Sequence, residues 1–598
     1  MAPSPLESLT TELKLNLQKS LECVLTEIIQ TNSGTIFFRE SALLSAFRER
    51  LQSVPPILMP EAVANVDTGP CEAIHTQDLV QGFYETIALS LYDAYQAFVS
   101  RFFDKSPCPS AAVRDLFSPG FPDFIAQTSG TSGSTFKLFP MYPVTEDVDP
   151  IFEGVRFCAF STFRFCGPAV KIVDEHGELQ KEVFLTNIGS GIMRRFMGIA
   201  VKDDDKAITE TPPLSPVPFA VWYIPNFLGN LLMTMLFAVM DPLLVFMCAS
   251  YTSVFYDAVL TLEEHWDIVV DSVEKGTIPD VYDIDYCRPF LEAQIKSNPH
   301  RAAELRSIQK GTEGWLKQIW PSLKTIIAVS SGSYAAFVPK IQHHIGPNVE
   351  IESSLYVSTE CVIGHGHDPA NDHNLYRVSR DSHFEYLDVT EPQSVQALHQ
   401  AWEVQTGKRY EIVVTTRNGL WRYQMRDVVE IGGFDPSDGQ PLIRFIERRG
   451  VGFRILAEMV SEELIQNAIH STHHTLGRVL EFVAELDDRQ FPPSYGYFVE
   501  LEGELGPAPE CAPRKVQEAL FTNPGYKFST DIGRIGMPTI RIVASRTFRA
   551  YREWRLELTG RPMGQIKVPT TTVDVATKEW LAKRVISEVG LLSFSVFL

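Results

Sequence analysis

The 598-residue chain has little of what would tie it to a nucleic acid, a membrane or an oxidising compartment. Lysine and arginine are scarce, 53 against 74 aspartates and glutamates, and the net charge of −21 would repel a nucleic acid except at a local basic site. The nine cysteines are scattered and odd in number, and no Cys-x-x-Cys pair occurs. That excludes a disulfide framework and fits a reducing compartment, the cytoplasm. The first residues, Met1-Ala-Pro-Ser-Pro-Leu-Glu, lack the basic start and apolar stretch of a signal peptide. Repeats and low-complexity tracts are missing too. The strongest apolar run, Val217 to Phe255, is cut by Pro225-Asn226, Asn230 and Asp241-Pro242 into pieces shorter than the ~20 residues that span a bilayer. It is expected to form buried core helices rather than a membrane span.

What is present is an ordinary globular composition, 44% hydrophobic and 21% charged, in a chain long enough for at least two domains. Leu13, Leu17, Leu21, Leu25 and Ile28 recur at helical spacing, so the chain opens on an amphipathic helix over 7–30. Further helices are expected near 78–103, 255–275 and 289–320. Short apolar runs bounded by turn residues (Thr325 to Val329, Glu350 to Glu352, Tyr410 to Thr416) read as buried strands. Helices alternating with such strands predict an α/β fold. After Arg448 the pattern changes. Ser461 is a candidate N-cap for a helix through His470, strand-like alternation follows at 483–486 and 497–501, and 548–558 is helical again. This predicts a large domain with mixed sheets and helices over 1–447 and a smaller α+β domain over 448–598.

The most informative segment runs from Gln127 through Thr128, Ser129, Gly130, Thr131, Ser132, Gly133, Ser134, Thr135 and Phe136 to Lys137. Glycines let backbone N–H groups converge, hydroxyls add donors, and a lysine supplies a point charge suited to a polyphosphate. The spacing is not Walker A. Four more segments follow in order: Ser330-Ser331-Gly332-Ser333; Tyr356-Val357-Ser358-Thr359-Glu360; Leu420-Trp421-Arg422-Tyr423-Gln424-Met425-Arg426-Asp427, with Glu447-Arg448 beyond it; and Gly564-Gln565-Ile566-Lys567-Val568-Pro569.

Five motifs in this order resemble the adenylate-forming superfamily that includes firefly luciferase and the acyl-CoA ligases. They are most similar to the auxin-responsive acyl-acid amido synthetases, the Gretchen Hagen three family, over nearly the whole chain. The resemblance implies that ATP and Mg²⁺ activate a carboxylic acid as an acyl-adenylate, which an amine, an amino acid, then attacks to form an amide. It implies that Thr128 to Lys137 hold the outgoing phosphates. Thr359 and Glu360 would stand at the α-phosphate, with Glu360 recruiting Mg²⁺. Asp427 would accept the ribose hydroxyls, and Tyr356 and Arg448 would complete the nucleotide site. Lys567 would be a lysine of a mobile C-terminal domain that reaches the acyl-phosphate, and Glu447-Arg448 the hinge of that domain.

The chain departs from the family where Arg426 precedes the aspartate and Ser134 enters the loop; both places usually hold glycine. Either could narrow the site, or strain the backbone if φ is positive there. Two other readings stay open: an acyl-CoA ligase using the same adenylate, and a family member that binds nucleotide or acyl ligand without turnover. The acyl pocket is expected between the 217–255 helices and the 325–365 region. The histidines at 365, 367 and 373, with Asp368, have metal-like chemistry but no second cluster to complete a zinc site, and are read as loop residues. Those at 470, 473 and 474 lack a His-Glu-x-x-His pattern and are read as a helix end.

Overall fold

The computed structural model describes residues 4–52, 70–128, 136–143, 154–163, 167–368, 371–449, 452–453, 458–559 and 566–589. The apolar 217–255 segment lies at the centre of one of its main cores. The helix Phe227–Val239 opens on Asn226, whose side chain accepts from the Gly229 N–H, and it is buried on nearly every side. A helix apolar all round needs such an interior. Its last carbonyls are satisfied from outside the helix. The Trp320 indole donates to Ala238 O and the Arg301 guanidinium to Val239 O, at 2.9 Å each. At 13 residues it rises about 20 Å, and no helix among the described residues is long and apolar enough to cross a membrane.

The second half of this segment corrects the expectation of helices throughout. Phe246–Tyr251 is a strand, paired in parallel between Phe157–Ala159 and Thr325–Val329, with Glu350–Glu352 beyond. The Asp241-Pro242 break leaves too few residues for a helix, and a central parallel strand buries an unbroken apolar run equally well. The helix expected near 78–103 is likewise two, Pro70–Thr86 and Asp93–Val99. Ser90 between them pairs its backbone with Arg422 and Gln424 of the neighbouring sheet. The 255–275 region divides at His265 into Thr252–Glu264 and Trp266–Lys275, and 289–320 carries the short helices Arg288–Gln294, Pro299–Arg306 and Trp315–Ile319.

A second core joins the Thr11–Asn32 helix to two further sheets. One is five-stranded and holds the hairpin Phe124–Gln127 and Leu138–Met141. The other is an eight-stranded antiparallel sheet in the order 355–357, 362–366, 376–378, 441–448, 423–434, 409–415, 383–388 and 398–400. After Arg448 the chain builds a third core around a five-stranded mixed sheet. Ser461 caps Glu462–His470 as expected, its hydroxyl accepting from Leu464 N. These observations give a mixed α/β fold with a larger N-terminal and a smaller C-terminal part.

The C-terminal part docks through its Thr547–Thr559 helix. Arg549 and Arg552, three residues apart, share a face with Arg546, which immediately precedes the helix, and meet Asp257, Thr261 and Glu264 of Thr252–Glu264. Arg546 and Arg549 reach Glu264, and Arg549 also donates to the Thr261 hydroxyl at 2.8 Å. Arg552 makes two bonds to the buried Asp257 carboxylate, at 2.9 and 3.1 Å.

Candidate active site

At the neck of the hydroxyl-rich loop, Thr128 and Lys137 close on each other. Thr128 N donates to Lys137 O at 3.0 Å, and Lys137 N to the Thr128 hydroxyl at 3.1 Å. This extends the pairing of Gln127 with Leu138 by one step and aims both residues the same way. Ser129, Gly130, Thr131, Ser132, Gly133 and Ser134 lie outside the described residues. The Lys137 ammonium donates to the Tyr423 hydroxyl at 3.0 Å and lies near the Tyr92 ring. Burial pulls its pKa down, against the pull of Glu360.

Glu360 sits in the bend between strands Leu355–Val357 and Val362–Gly366. The Ser358 hydroxyl shapes the bend by accepting from Glu360 N and Cys361 N at 3.2 Å each. Thr359 is half-buried beside it, whereas Glu360 is 5% exposed. Burial raises the Glu360 carboxyl above its ordinary range, opposed by Arg448 and Lys137. Asp427 and Arg448 are cross-strand partners in the same sheet, with Nε 3.7 Å from the carboxylate. The Tyr356 hydroxyl donates to the other Asp427 oxygen at 2.8 Å. Burial works against charge on Arg448, yet Asp427 and Glu360 hold its pKa above the ordinary value. Lys137, Tyr356, Glu360, Asp427 and Arg448, dispersed over 312 positions of sequence (137 to 448 inclusive), therefore form one electrostatic group.

Arg426 shows why this position favours glycine. Its φ is +65°, in the left-handed region, because the Tyr423–Phe434 strand bulges there. Val413 faces Gln424 but Glu411 faces Val428, so three residues of one strand stand opposite one of the other. The Arg426 side chain points to solvent, and Asp427 is buried beside it. The arginine thus occupies the strained backbone without filling the site.

Lys567 is not brought to this group. Its ammonium stands 4.9 Å from the Tyr251 ring centroid and, among the described residues, makes no hydrogen bond or ion pair with Glu360, Asp427 or Arg448. It lines a cavity between the N- and C-terminal parts with Ser253, Tyr334, Glu481 and Arg552. A second, apolar cavity reaches Glu360 from the other side and is walled by Tyr95, Phe117, Phe139, Met141 and Leu420. Of these linings, Ser253 and Tyr334 in the first cavity and Glu360 in the second come from the segments expected to form an acyl pocket.

Sequence reasoning passed over Tyr423 and Tyr92, the neighbours of Lys137. Tyr423 stands inside the Leu420 to Asp427 motif, where an aromatic hydroxyl flanked by Arg422 and Gln424 was no more than a weak signal. Tyr92 carried none, since only folding brings it to residue 137.

Comparison with known proteins agrees with this architecture. Residues 9–351 match the GH3 family N-terminal domain, 376–448 the GH3 family central domain and 463–575 the GH3 family C-terminal domain. Indole-3-acetic acid-amido synthetase GH3.17 of Arabidopsis thaliana is 27% identical over 377 residues, 56% of this chain. The aligned part spans 61% of that relative's length. Indole-3-acetic acid-amido synthetase GH3.15 of the same plant is 24% identical over 549 residues, covering 85% of this chain and 88% of its own. The solved structure of AtGH3.15 acyl acid amido synthetase in complex with 2,4-DB shares the fold, with a TM-score of 0.72 at 20% identity over 97% of this chain and 95% of that one.

Proposed function

The chain belongs to the GH3 family, and from that premise we propose that it is an ATP-dependent acid–amine ligase. In this reading it activates a carboxylic acid as an acyl-adenylate and passes the acyl group to an amino acid, forming an amide. The observation that carries the reading is the convergence of Lys137, Glu360, Asp427 and Arg448 on one largely buried centre. A carboxylate is a poor electrophile because its leaving oxygen is too basic, and transfer to AMP supplies a good leaving group. What the protein must contribute is cations for the phosphates and alignment of the acid oxygen with the α-phosphate.

Lys137 and Arg448 are the cations at hand, and the loop from Thr128 through Ser129, Gly130, Thr131, Ser132 and Gly133 supplies hydroxyl and N–H donors. Asp427 keeps lone pairs for the ribose hydroxyls while Tyr356 fixes its orientation. Thr359 and Glu360 offer the sparse, hard-oxygen donor set that suits Mg²⁺. The burial of Glu360 between two cations fits a group that would share a metal with phosphate. Mg²⁺ bound there would neutralise phosphate charge as pyrophosphate departs. We assign residues 1–447 to the nucleotide- and acid-binding domain and 448–598 to a mobile domain. Its turning about Glu447-Arg448 would bring Lys567 from the Tyr251 ring to the acyl-phosphate. A cytoplasmic location completes the reading, supported by free thiols at Cys23, Cys248 and Cys361.

The test is acid-dependent ATP–pyrophosphate exchange with Mg²⁺ across indole, aryl and aliphatic carboxylates, the first of these because relatives are named for indole-3-acetic acid. Exchange with one of them establishes the adenylate. Amide formation with amino acids, and no thioester with coenzyme A, establishes the acceptor. Nucleotide binding without exchange would overturn the enzyme reading in favour of a non-catalytic binder.

A further inference from the structure

Apart from Lys567, the ionisable groups lining the cavity between the two parts are ones that adenylation does not use. On one side stand Ser253 and Tyr334, on the other Glu481, Arg552, Lys567 and Thr570. Tyr334 is stacked on Tyr251 at 4.5 Å, and the Lys567 ammonium faces the outer ring. Both Glu481 oxygens accept from the same Arg552 nitrogen, at 2.8 and 2.9 Å, because the remaining nitrogens of Arg552 are committed to Asp257. Asp257, Glu481 and, from the adjacent strand, Glu500 thus surround one guanidinium, an excess of negative charge in a largely buried place. Burial above all, opposed by Arg552 and helped by Glu500 and Asp257, pushes the Glu481 carboxyl up to about 7. On the same side as Glu481, burial lowers His470 to about 4, so it stays neutral, and across the cavity burial lifts the Tyr334 hydroxyl well out of the neutral range. Glu462, which accepts from Thr570, also adds negative charge near Tyr334.

An amino acid arrives as an ammonium ion with no lone pair and cannot attack a carbonyl until it loses a proton. Resting on the proposed ligase reading, we propose that the acceptor amino acid enters this cavity and that Glu481 takes the proton from its ammonium, with Lys567 at the cavity wall facing its carboxylate. The freed nitrogen lone pair attacks the acyl carbon. A C–N bond forms, the C–O bond to the phosphate breaks, and its electron pair leaves with AMP. The second nitrogen proton goes to the departing phosphate oxygen, so no further reactant is needed. A carboxylate whose pKa lies near the working pH suits this task. Arg552 acts as a positioning residue that holds the Glu481 oxygens.

The test compares two acceptors in the full-length protein with an acid that supports pyrophosphate exchange. One is the amino acid; the other is hydroxylamine, which is already neutral at neutral pH and needs no base. Glu481→Gln is expected to lower amide formation with amino acids at pH 7 by roughly a hundredfold, with activity recovering as pH rises and free amine accumulates. Hydroxamate formation is expected to fall less than about twofold, and Glu481→Asp, which keeps a carboxylate, to restore part of the amide rate. Equal loss with both acceptors would overturn the inference, since a structural role produces that result. So would an amide rate unchanged by Glu481→Gln. Wild-type protein without exchange would overturn the ligase reading itself, a separate failure.

Discussion

Replacing Arg426 by glycine separates the backbone role of this position from its charge. At φ +65° an L-residue with a Cβ pays about 1–2 kcal/mol relative to right-handed backbone. Glycine removes that cost but enlarges the entropy of the unfolded chain, which returns about 0.4–1 kcal/mol. The net expectation is a stabilisation of roughly 0.5–1 kcal/mol. In a folding unit of domain size this raises Tm by about 2 °C. The exposed side chain leaves no cavity behind. Its positive charge does act on the site, because it helps lower the Lys137 pKa and therefore lies within electrostatic reach of the phosphates. Arg426→Gly should accordingly weaken ATP binding, by about twofold to fivefold for an exposed charge interaction of 0.3–1 kcal/mol. Thermal melting and nucleotide titration of Arg426→Gly and Arg426→Ala form the assay. Alanine loses the same charge but keeps the Cβ, so it should match glycine in ATP binding and not in Tm. A glycine variant no more stable than the alanine variant would refute the strain. Tighter ATP binding in both would mean that the arginine obstructs the site.

Three other outcomes are expected. Asp427→Ala should raise the ATP KM by tenfold or more, matching the ~1.5–3 kcal/mol of hydrogen bonds to a charged group; an unchanged nucleotide affinity would remove Asp427 from the site. Arg422→Met should cost about 3–5 kcal/mol by stranding the Glu385 carboxylate, since both side chains are almost fully buried and paired at 2.8 Å. Adding Glu385→Leu should recover much of the loss, and a Tm unmoved by the single change would refute the pairing. For Glu481 the folded carboxyl titrates above its unfolded value, so the stability it contributes is fully present below pH 4.5 and is lost as pH rises through about 7. The limiting slope is about 1.4 kcal/mol per pH unit. Melting between pH 5 and 8 should therefore show a decline that Glu481→Gln flattens.

Much of the fold was legible where local chemistry acts alone. The opening helix, the strands at 325–329 and 350–352, and the Ser461 cap all form where the pattern places them. The errors have a common physical source. Phe246–Tyr251 is apolar in a way that serves a buried strand and a buried helix equally, and its two parallel neighbours decide the matter. The helix expected across Ser90 is broken because a strand more than 300 residues away takes that backbone as a partner.

The same division runs through the site. Residue types and their order determined, without any coordinates, the family, the phosphate-loop composition and the candidate carboxylates and cations, because such chemistry is written in short motifs. Tertiary structure alone decided that Tyr423 meets Lys137 and that Tyr356 orients Asp427. It alone set the bulge that makes Arg426 left-handed and the seating of Lys567 on Tyr251. It also placed Glu481 and Asp257, 224 positions apart, on one arginine. Charge, burial and distance between remote segments govern these relations. A linear pattern carries none of them, because the free energy of a buried ionic group depends on what surrounds it in space rather than on its neighbours along the chain.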